Sequence, residues 1–258
     1  MLKFAVVLFF VAAVTAVPTA PVDPRIELNG DWRVVGGSNA PAGAYPFIVS
    51  LRSSGNAHFC GGSVLNGLNI LTAAHCVVGR TTGNTITVAG TNTLNAGGTS
   101  RATARLLIHA NYNPSTIAND IAVVRMSTNL GMTNLIQQTS LNTANTGAVA
   151  AILIGWGRTC TTCGLPNNLQ HLATNTITHA ACVSSWGSLV AQSQICAVIG
   201  AGRGACNGDS GGPLIQTSNS AQLGLASFIR AGGCAQGFPD VYVRVSSFIA
   251  WIQSAVNA

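Results

Sequence analysis

Acidic side chains are nearly missing from this chain of 258 residues: it holds six aspartates and glutamates, and only Asp120, Asp209 and Asp240 lie beyond residue 33. Lysine is rarer still, since the single one is Lys3. A globular domain ordinarily devotes about a quarter of its residues to charged side chains, so three acids that survive such depletion are not solvated decoration. The formal net charge is +6, yet the nine arginines beyond residue 33 stand singly, without a basic cluster or interleaved aromatics. That excludes a nucleic-acid-binding stripe, which is clustered. Long apolar runs are missing too. Phe4 to Val14 falls short of the roughly 20 residues that a membrane-spanning helix needs. No internal repeat and no linker divides the chain after residue 33.

The beginning of the chain has a basic start, Met1-Leu2-Lys3, then that short apolar run, then the small residues Val14-Thr15-Ala16. This is the pattern of a secretory signal peptide, expected over residues 1–16 with cleavage after Ala16. A secreted chain makes the eight cysteines, at 60, 76, 160, 163, 182, 196, 206 and 234, a disulfide set rather than free thiols. Cys160-Thr161-Thr162-Cys163 has the shape of half a zinc site, but no second Cys/His pair of comparable spacing accompanies it, and no metal is expected. Residues 17–33 are rich in proline and polar residues, hold half of all the acids and contain no cysteine, so nothing tethers them after a cut. Beyond them, short β-like runs alternate with Gly, Asn, Ser and Pro turns: Phe47 to Leu51, Ile86 to Ala89, Arg105 to His109, Ile121 to Met126 and Ala148 to Ile154. Such spacing points to a sandwich or barrel. Only Ser247 to Val256 places apolar residues at helical spacing, at Phe248, Ile249, Ile252 and Val256.

The three acids sit in telling company. Asp209 lies in Gly208-Asp209-Ser210-Gly211-Gly212-Pro213, Asp120 in Asp120-Ile121-Ala122, and Asp240 follows Gly237-Phe238-Pro239. With Thr72-Ala73-Ala74-His75-Cys76, they supply a serine, a histidine and an aspartate suited to acyl transfer. A serine hydroxyl is a poor nucleophile until a base takes its proton, and a histidine base works best when a carboxylate fixes its tautomer. These three lie far apart in sequence, so only a fold can assemble them. Together with Val34-Val35-Gly36-Gly37 and Gly155-Trp156-Gly157, the segments form five motifs in order. In this they resemble the chymotrypsin family of serine endopeptidases, from Val34 to the C-terminal helix.

The resemblance implies an all-β fold of two six-stranded antiparallel barrels with a C-terminal helix, over residues 34–258. It implies His75 as general base and then acid, Asp120 as its orienting carboxylate and Ser210 as nucleophile. The backbone N–H groups of Gly208 and Ser210 are the implied oxyanion hole, and Ser227 resembles the serine that hydrogen-bonds the triad aspartate. Three disulfides are implied, Cys60–Cys76, Cys182–Cys196 and Cys206–Cys234. Cys160 and Cys163 depart from the family pattern and are left to each other, with an effect limited to local stiffening because so short a loop gives little chain-entropy stabilisation. Cleavage between Arg33 and Val34 would free an α-amino group to insert beside Asp209, so residues 17–33 are read as an activation propeptide. His58, two residues before Cys60, matches a histidine that holds this aspartate before activation; an ordinary strand histidine is the competing reading.

Specificity departs from the best-known members. The pocket base reads Gly204-Ala205 where a trypsin-like chain carries an acid, and Asp240 faces it from the wall after Cys234. Ile229 stands where many members have glycine and would narrow the entrance. This combination resembles insect gut chymotrypsins and the crab and insect collagenolytic serine proteases, and implies cleavage after large apolar or aromatic residues with some acceptance of basic ones. Asp240 satisfied by backbone amides alone would read nothing. No acidic pair occurs between Cys76 and Arg105, so the calcium site of some relatives is not expected. The implied partners are protein or peptide substrates, an activating trypsin-like protease and protein protease inhibitors. A secreted monomer without cofactor, free of nucleic acid and membrane, follows, with a gut lumen as its setting. The rivals are a catalytically dead homologue acting as a binding protein and an esterase of another fold. The missing lysines leave two readings open, an alkaline working environment or a bias unrelated to pH.

Overall fold

The computed structural model describes residues 34–258 apart from Ile199, together with a short strand at Ile26–Glu27. The signal-peptide segment and most of residues 17–33, Arg33 included, lie outside the described residues. In chain order the strands are β1 (Ile26–Glu27), β2 (Ser38–Asn39), β3 (Ile48–Arg52), β4 (His58–Val64), β5 (Asn69–Thr72), β6 (Ile86–Ala89), β7 (Thr99–Ile108) and β8 (Ala122–Met126). They continue as β9 (Ala150–Gly155), β10 (Gln170–Ile177), β11 (Gln194–Val198), β12 (Pro213–Gln216), β13 (Gln222–Arg230) and β14 (Asp240–Arg244). Among the described residues three α-helices accompany them: α1 (Ala74–Val77), α2 (His179–Trp186) and α3 (Ile249–Asn257). None of the described helices is long and apolar enough to cross a membrane.

Two antiparallel barrels result. Strands β3, β4, β5, β8, β7 and β6 close the first. Strands β13, β12, β9, β10, β11 and β14 close the second through the β13–β14 pairing, with β1 and β2 added at its margins. Strand β10 shows why such segments form: Gln170, Leu172, Thr174 and Thr176 point inward while Ala173 and Asn175 are exposed, the two-residue period of a half-buried strand. Val49, Leu51, Ile70, Val124 and Met126 fill the first barrel. Leu153, Leu172, Leu214, Phe228 and Tyr242 fill the second.

What positions the site is the seam between the barrels. Phe248 and Ile252 at the C-terminal helix pack against Leu71, Ile121 and Val123 of the first barrel and Leu225 and Val243 of the second. Burying each such side chain stabilises the seam by about 1.5–3 kcal/mol. A polar pin adds register. Gln222 on β13 is fully buried, and its Oε1 accepts from Ser63 Oγ on β4 at 2.7 Å and from Thr139 Oγ1 at 3.3 Å. Its Nε2 donates to the Gly224 carbonyl at 3.2 Å, so the buried amide is satisfied at both ends. All eight cysteines are paired, as Cys60–Cys76, Cys160–Cys163, Cys182–Cys196 and Cys206–Cys234.

Candidate active site

His75 sits on the single turn of α1, directly after β5, and the Cys60–Cys76 bridge ties that turn to β4. Asp120 lies just ahead of β8 and is fully buried. Its Oδ1 accepts the His75 backbone N–H at 2.8 Å, and its Oδ2 accepts the His75 Nδ1–H at 2.8 Å and the Ser227 hydroxyl at 2.6 Å. A carboxylate only accepts, so the proton of the imidazole is on Nδ1 and the lone pair is on Nε2. Three donors from two separate elements, two on His75 of α1 and one on Ser227 of β13, therefore hold one buried acid, and the acid in turn fixes the histidine tautomer.

Ser210 belongs to a turn closed on both sides of the seam. Its carbonyl accepts the Gly61 N–H at 2.8 Å, the Gly211 N–H donates to the Ala226 carbonyl at 2.8 Å, and the Gly212 N–H donates to the Asp209 carbonyl at 2.8 Å. Gly211 packs so closely on Thr72 and Ala73 that an added Cβ would stand 3.0 Å from the Ala73 nitrogen. The serine is thereby brought to the segment that carries His75. Ser210 Oγ and His75 Nε2 are not hydrogen-bonded to each other among the described residues, a contact that in such sites often forms only with substrate in place. Residues Gly208 to Gly212 also spell Gly-x-Ser-x-Gly, but the turn leads into antiparallel β12 rather than from a strand into a helix, so it is not the elbow of an α/β-hydrolase. The esterase of another fold is thereby excluded.

Two amides flank this turn. Gly208 and Ser210 are buried, yet among the described residues neither backbone N–H has a partner within the chain, whereas the Asp209 N–H between them donates to the Cys206 carbonyl at 3.1 Å. Buried orphan donors are rare. Gly208 has φ +103°, a conformation L side chains rarely adopt, and its carbonyl accepts from His58 Nε2 at 2.9 Å. His58 therefore carries its proton on Nε2, and its Nδ1 accepts from the Ser50 hydroxyl at 2.8 Å. Burial pushes its pKa down to about 4, so it is neutral. The structure thus places His58 on the Gly208 carbonyl rather than on Asp209.

Asp209 is fully buried. Its Oδ1 accepts the Gly157 N–H at 2.9 Å and its Oδ2 the Cys206 N–H at 3.1 Å. Burial pushes its pKa up to about 8 against the pull of those two bonds, and no ion pair involves it among the described residues. Val34 is fully buried as well, and Val35 exchanges backbone hydrogen bonds with Gly204 at 2.8 and 3.1 Å. The start of the expected protease domain is therefore anchored to the pocket base.

Of the residues expected to form a specificity pocket, Gly204, Ala205 and Asp240 lie together. Asp240 is buried at the start of β14, its Oδ2 accepts the Ala205 N–H at 2.6 Å, and burial raises its pKa to about 7. Ile229 is buried near the end of β13, and Cys206–Cys234 links the two walls. The Cys160–Cys163 loop reaches the same region, with Thr161 lying 3.3 Å from where a Cβ of Gly233 would be. Residues the sequence did not single out complete the surroundings. Trp186 on α2 donates to the Pro239 carbonyl at 2.9 Å and meets Phe228 and Phe238 edge to face. The Arg230 guanidinium lies 3.7 Å over the Phe238 ring, and Arg230, Phe238 and Trp186 line a cavity of about 220 Å³ with Ser185 and Gly187. Gly157 was missed because its contribution is a backbone amide, which leaves no side-chain signal.

Among the described residues, Cys60, His75 and Cys76 form a cluster of metal-ligating types, but the two sulfurs are bonded to each other and offer no thiolate. His171 shares a 2.7 Å hydrogen bond with the Tyr45 hydroxyl, and His109 packs on Phe248 and Trp251.

Residues 34–252 match the sequence model of the family described as Trypsin. The chain is 40% identical over 223 residues to Chymotrypsin-2 of Vespa crabro, which covers 85% of this chain and 98% of that relative. It is 37% identical over 263 residues to Trypsin alpha-4 of Lucilia cuprina, with the full length of both aligned (100% and 100%). To Trypsin alpha of Drosophila melanogaster it is 35% identical over 265 residues, again at full length (100% and 100%).

Proposed function

The chain belongs to the trypsin family of serine endopeptidases, and from that premise we propose that it is a secreted zymogen that cuts peptide bonds through Ser210, His75 and Asp120. The observation that carries this reading is the double acceptance at Asp120 Oδ2, from His75 Nδ1 and from Ser227 Oγ. It leaves Nε2 as the base. Nε2 takes the Ser210 proton as Oγ attacks the scissile carbonyl carbon, and the carbonyl oxygen, now an oxyanion, accepts the N–H groups of Gly208 and Ser210. Nε2 then delivers that proton to the leaving nitrogen, the C–N bond breaks, and an acyl ester remains on Ser210. Water then gives a proton to Nε2 as its oxygen attacks the acyl carbon, the ester C–O bond breaks, Nε2 passes that proton to Oγ, and the acid product leaves a free Ser210 hydroxyl.

Residues 1–16 serve as signal peptide and 17–33 as activation propeptide in this reading, and the product is extracellular, in a gut lumen. A trypsin-like protease cuts after Arg33. The new ammonium group of Val34 then meets the buried Asp209 carboxylate, which otherwise lacks a cation; either charge left alone in the interior is costly, so the pair acts as a switch. Protein protease inhibitors are further partners. Preference is for large apolar or aromatic residues before the scissile bond, with basic residues accepted through Asp240. Replacing Ser210 by Ala in the activated enzyme tests the assignment. Turnover of peptide substrates should fall by about 10⁶-fold, and activity near that of the parent in Ser210→Ala would return the chain to the class of binding proteins.

A further inference from the structure

Strand β1 pairs antiparallel with the end of β13, Ile26 opposite Arg230 and Glu27 opposite Ile229. The position of that pairing is what matters. Short of that pairing, β14 is paired with β13 only as far as Val241 opposite Phe228, and β12 only as far as Pro213 opposite Leu225. The Ser210 turn takes over there, with the Gly211 N–H on the Ala226 carbonyl and the Ala226 N–H on the Gly212 carbonyl. The edge then continues through Ser227 and Phe228 to Ile229 and Arg230, beside the pocket formed by Gly204 and Asp240. Because the pairing is antiparallel, rising residue number in β1 heads from Arg230 back toward the Ser210 turn. An extended peptide presenting a carbonyl to Ser210 has this edge as its backbone partner, since added strands are held by main-chain hydrogen bonds.

We infer that the propeptide is a built-in strand ligand of the substrate edge: Ile26–Glu27 occupies the backbone positions of β13 that a peptide substrate requires, so the propeptide inhibits by competition as well as by withholding the Val34 amino group. This rests on the reading of Ser210 as nucleophile. Charge favours the same occupant. Residues 34–258 carry nine arginines against three aspartates, whereas residues 17–33 hold Asp23, Glu27 and Asp31 against two arginines. The absence of cysteine from residues 17–33 means that after the cut no disulfide tethers the segment, which can leave by dissociation. A short tether sets an effective concentration on the order of millimolar. A dissociation constant of about 0.1 mM in trans would then keep about nine tenths of uncut chains occupied.

The test uses the chain cut after Arg33 and freed of its propeptide, with a synthetic peptide of residues 17–33 added back. Competitive inhibition against an extended peptide substrate is expected. Peptides carrying Ile26→Pro or Glu27→Pro, which lose a backbone donor and the strand geometry, should inhibit at least tenfold more weakly. Binding of the same labelled peptides to the cut Ser210→Ala chain reads the edge without turnover, so a failure here is separate from a failure of the nucleophile assignment. No binding up to millimolar peptide, or equal binding of the proline peptides, overturns the inference. So does concentration-dependent self-association of the cut chain that the peptide does not reverse, because a second copy would then own the edge.

Discussion

Gly204 and Asp240 face each other so closely that a Cβ added to Gly204 would stand 2.8 Å from Asp240 Oδ2. The acid thus occupies the pocket base from the opposite wall, and only glycine leaves room for it. One carboxylate oxygen is engaged by the Ala205 N–H, and the other has no partner among the described residues. With its pKa raised to about 7 by burial, Asp240 is mostly neutral at pH 6 and mostly ionised at pH 8. The ratio of kcat/KM for arginyl over phenylalanyl substrates should therefore climb about tenfold between those pH values, as the ionised fraction does. In Asp240→Asn, which keeps the Ala205 contact, the ratio should be flat. An enzyme that prefers arginyl substrates by more than tenfold at neutral pH would contradict the apolar ranking.

Ser227 supplies the shortest of the three hydrogen bonds on Asp120. A hydrogen bond to a charged group contributes about 1.5–3 kcal/mol. If Ser227→Ala withdraws that support mainly as the imidazolium forms, kcat should fall about 10- to 100-fold with KM little changed. A matching rise in KM at constant kcat would instead place Ser227 among the substrate contacts.

Much of this arrangement was legible in sequence, and for a physical reason. The chemistry proposed here needs particular side chains, so Asp120 and Asp240 stand out in a chain poor in charge, the motifs pick out His75 and Ser210, and the resemblance adds Ser227; the structure brings His75, Asp120 and Ser227 into direct contact. Strands with two buried faces were readable as apolar runs: β6 coincides with Ile86 to Ala89, and β8 lies within Ile121 to Met126. Strand β7 extends well ahead of Arg105 because Thr99 to Ala104 is a polar, largely exposed stretch whose strand identity comes from pairing with β6. Helix α2 was missed because its apolar residues follow no clear helical stripe, with only Cys182 and Trp186 buried. The aromatic surround of Arg230, Phe238 and Trp186 joins residues far apart in the chain and leaves no local pattern.

In the proposed switch, activation requires Asp209 to acquire a cation. In the uncut chain burial raises this carboxyl to about 8. With the folded pKa above the unfolded one, stability of the uncut form falls as pH rises from about 4 to 8, because the unfolded chain gives up the proton first. Cutting after Arg33 should remove most of that slope by supplying the ammonium partner. Thermal unfolding of cut and uncut chains across this range checks the sign. Arg33→Gln should stay uncut and inactive under trypsin, and sequencing of the active form should begin at Val34. Undiminished activity of the full-length Arg33→Gln chain would contradict the switch.

The last expectation concerns alkaline pH. Beyond residue 33 there is no lysine, and the three tyrosines, Tyr45, Tyr112 and Tyr242, all have phenols raised above their ordinary value by burial. Arginine keeps its charge above pH 12. Between about pH 8 and 10 the cut enzyme therefore has one side-chain-independent group left to titrate, the Val34 amine. In the proposed switch, pairing with Asp209 should raise it above the free α-amino value of about 7.7–8.0, so its contribution should be complete below that value and fade as pH rises through the raised one. Activity should persist to near pH 10 and decline along a single-group limb. Because Val34 bears the sole primary amine of the cut domain, acylating reagents should inactivate in proportion to one amine modified per molecule. An optimum near pH 7 with loss by pH 9, or full acylation without loss of activity, would end the alkaline reading or the switch respectively.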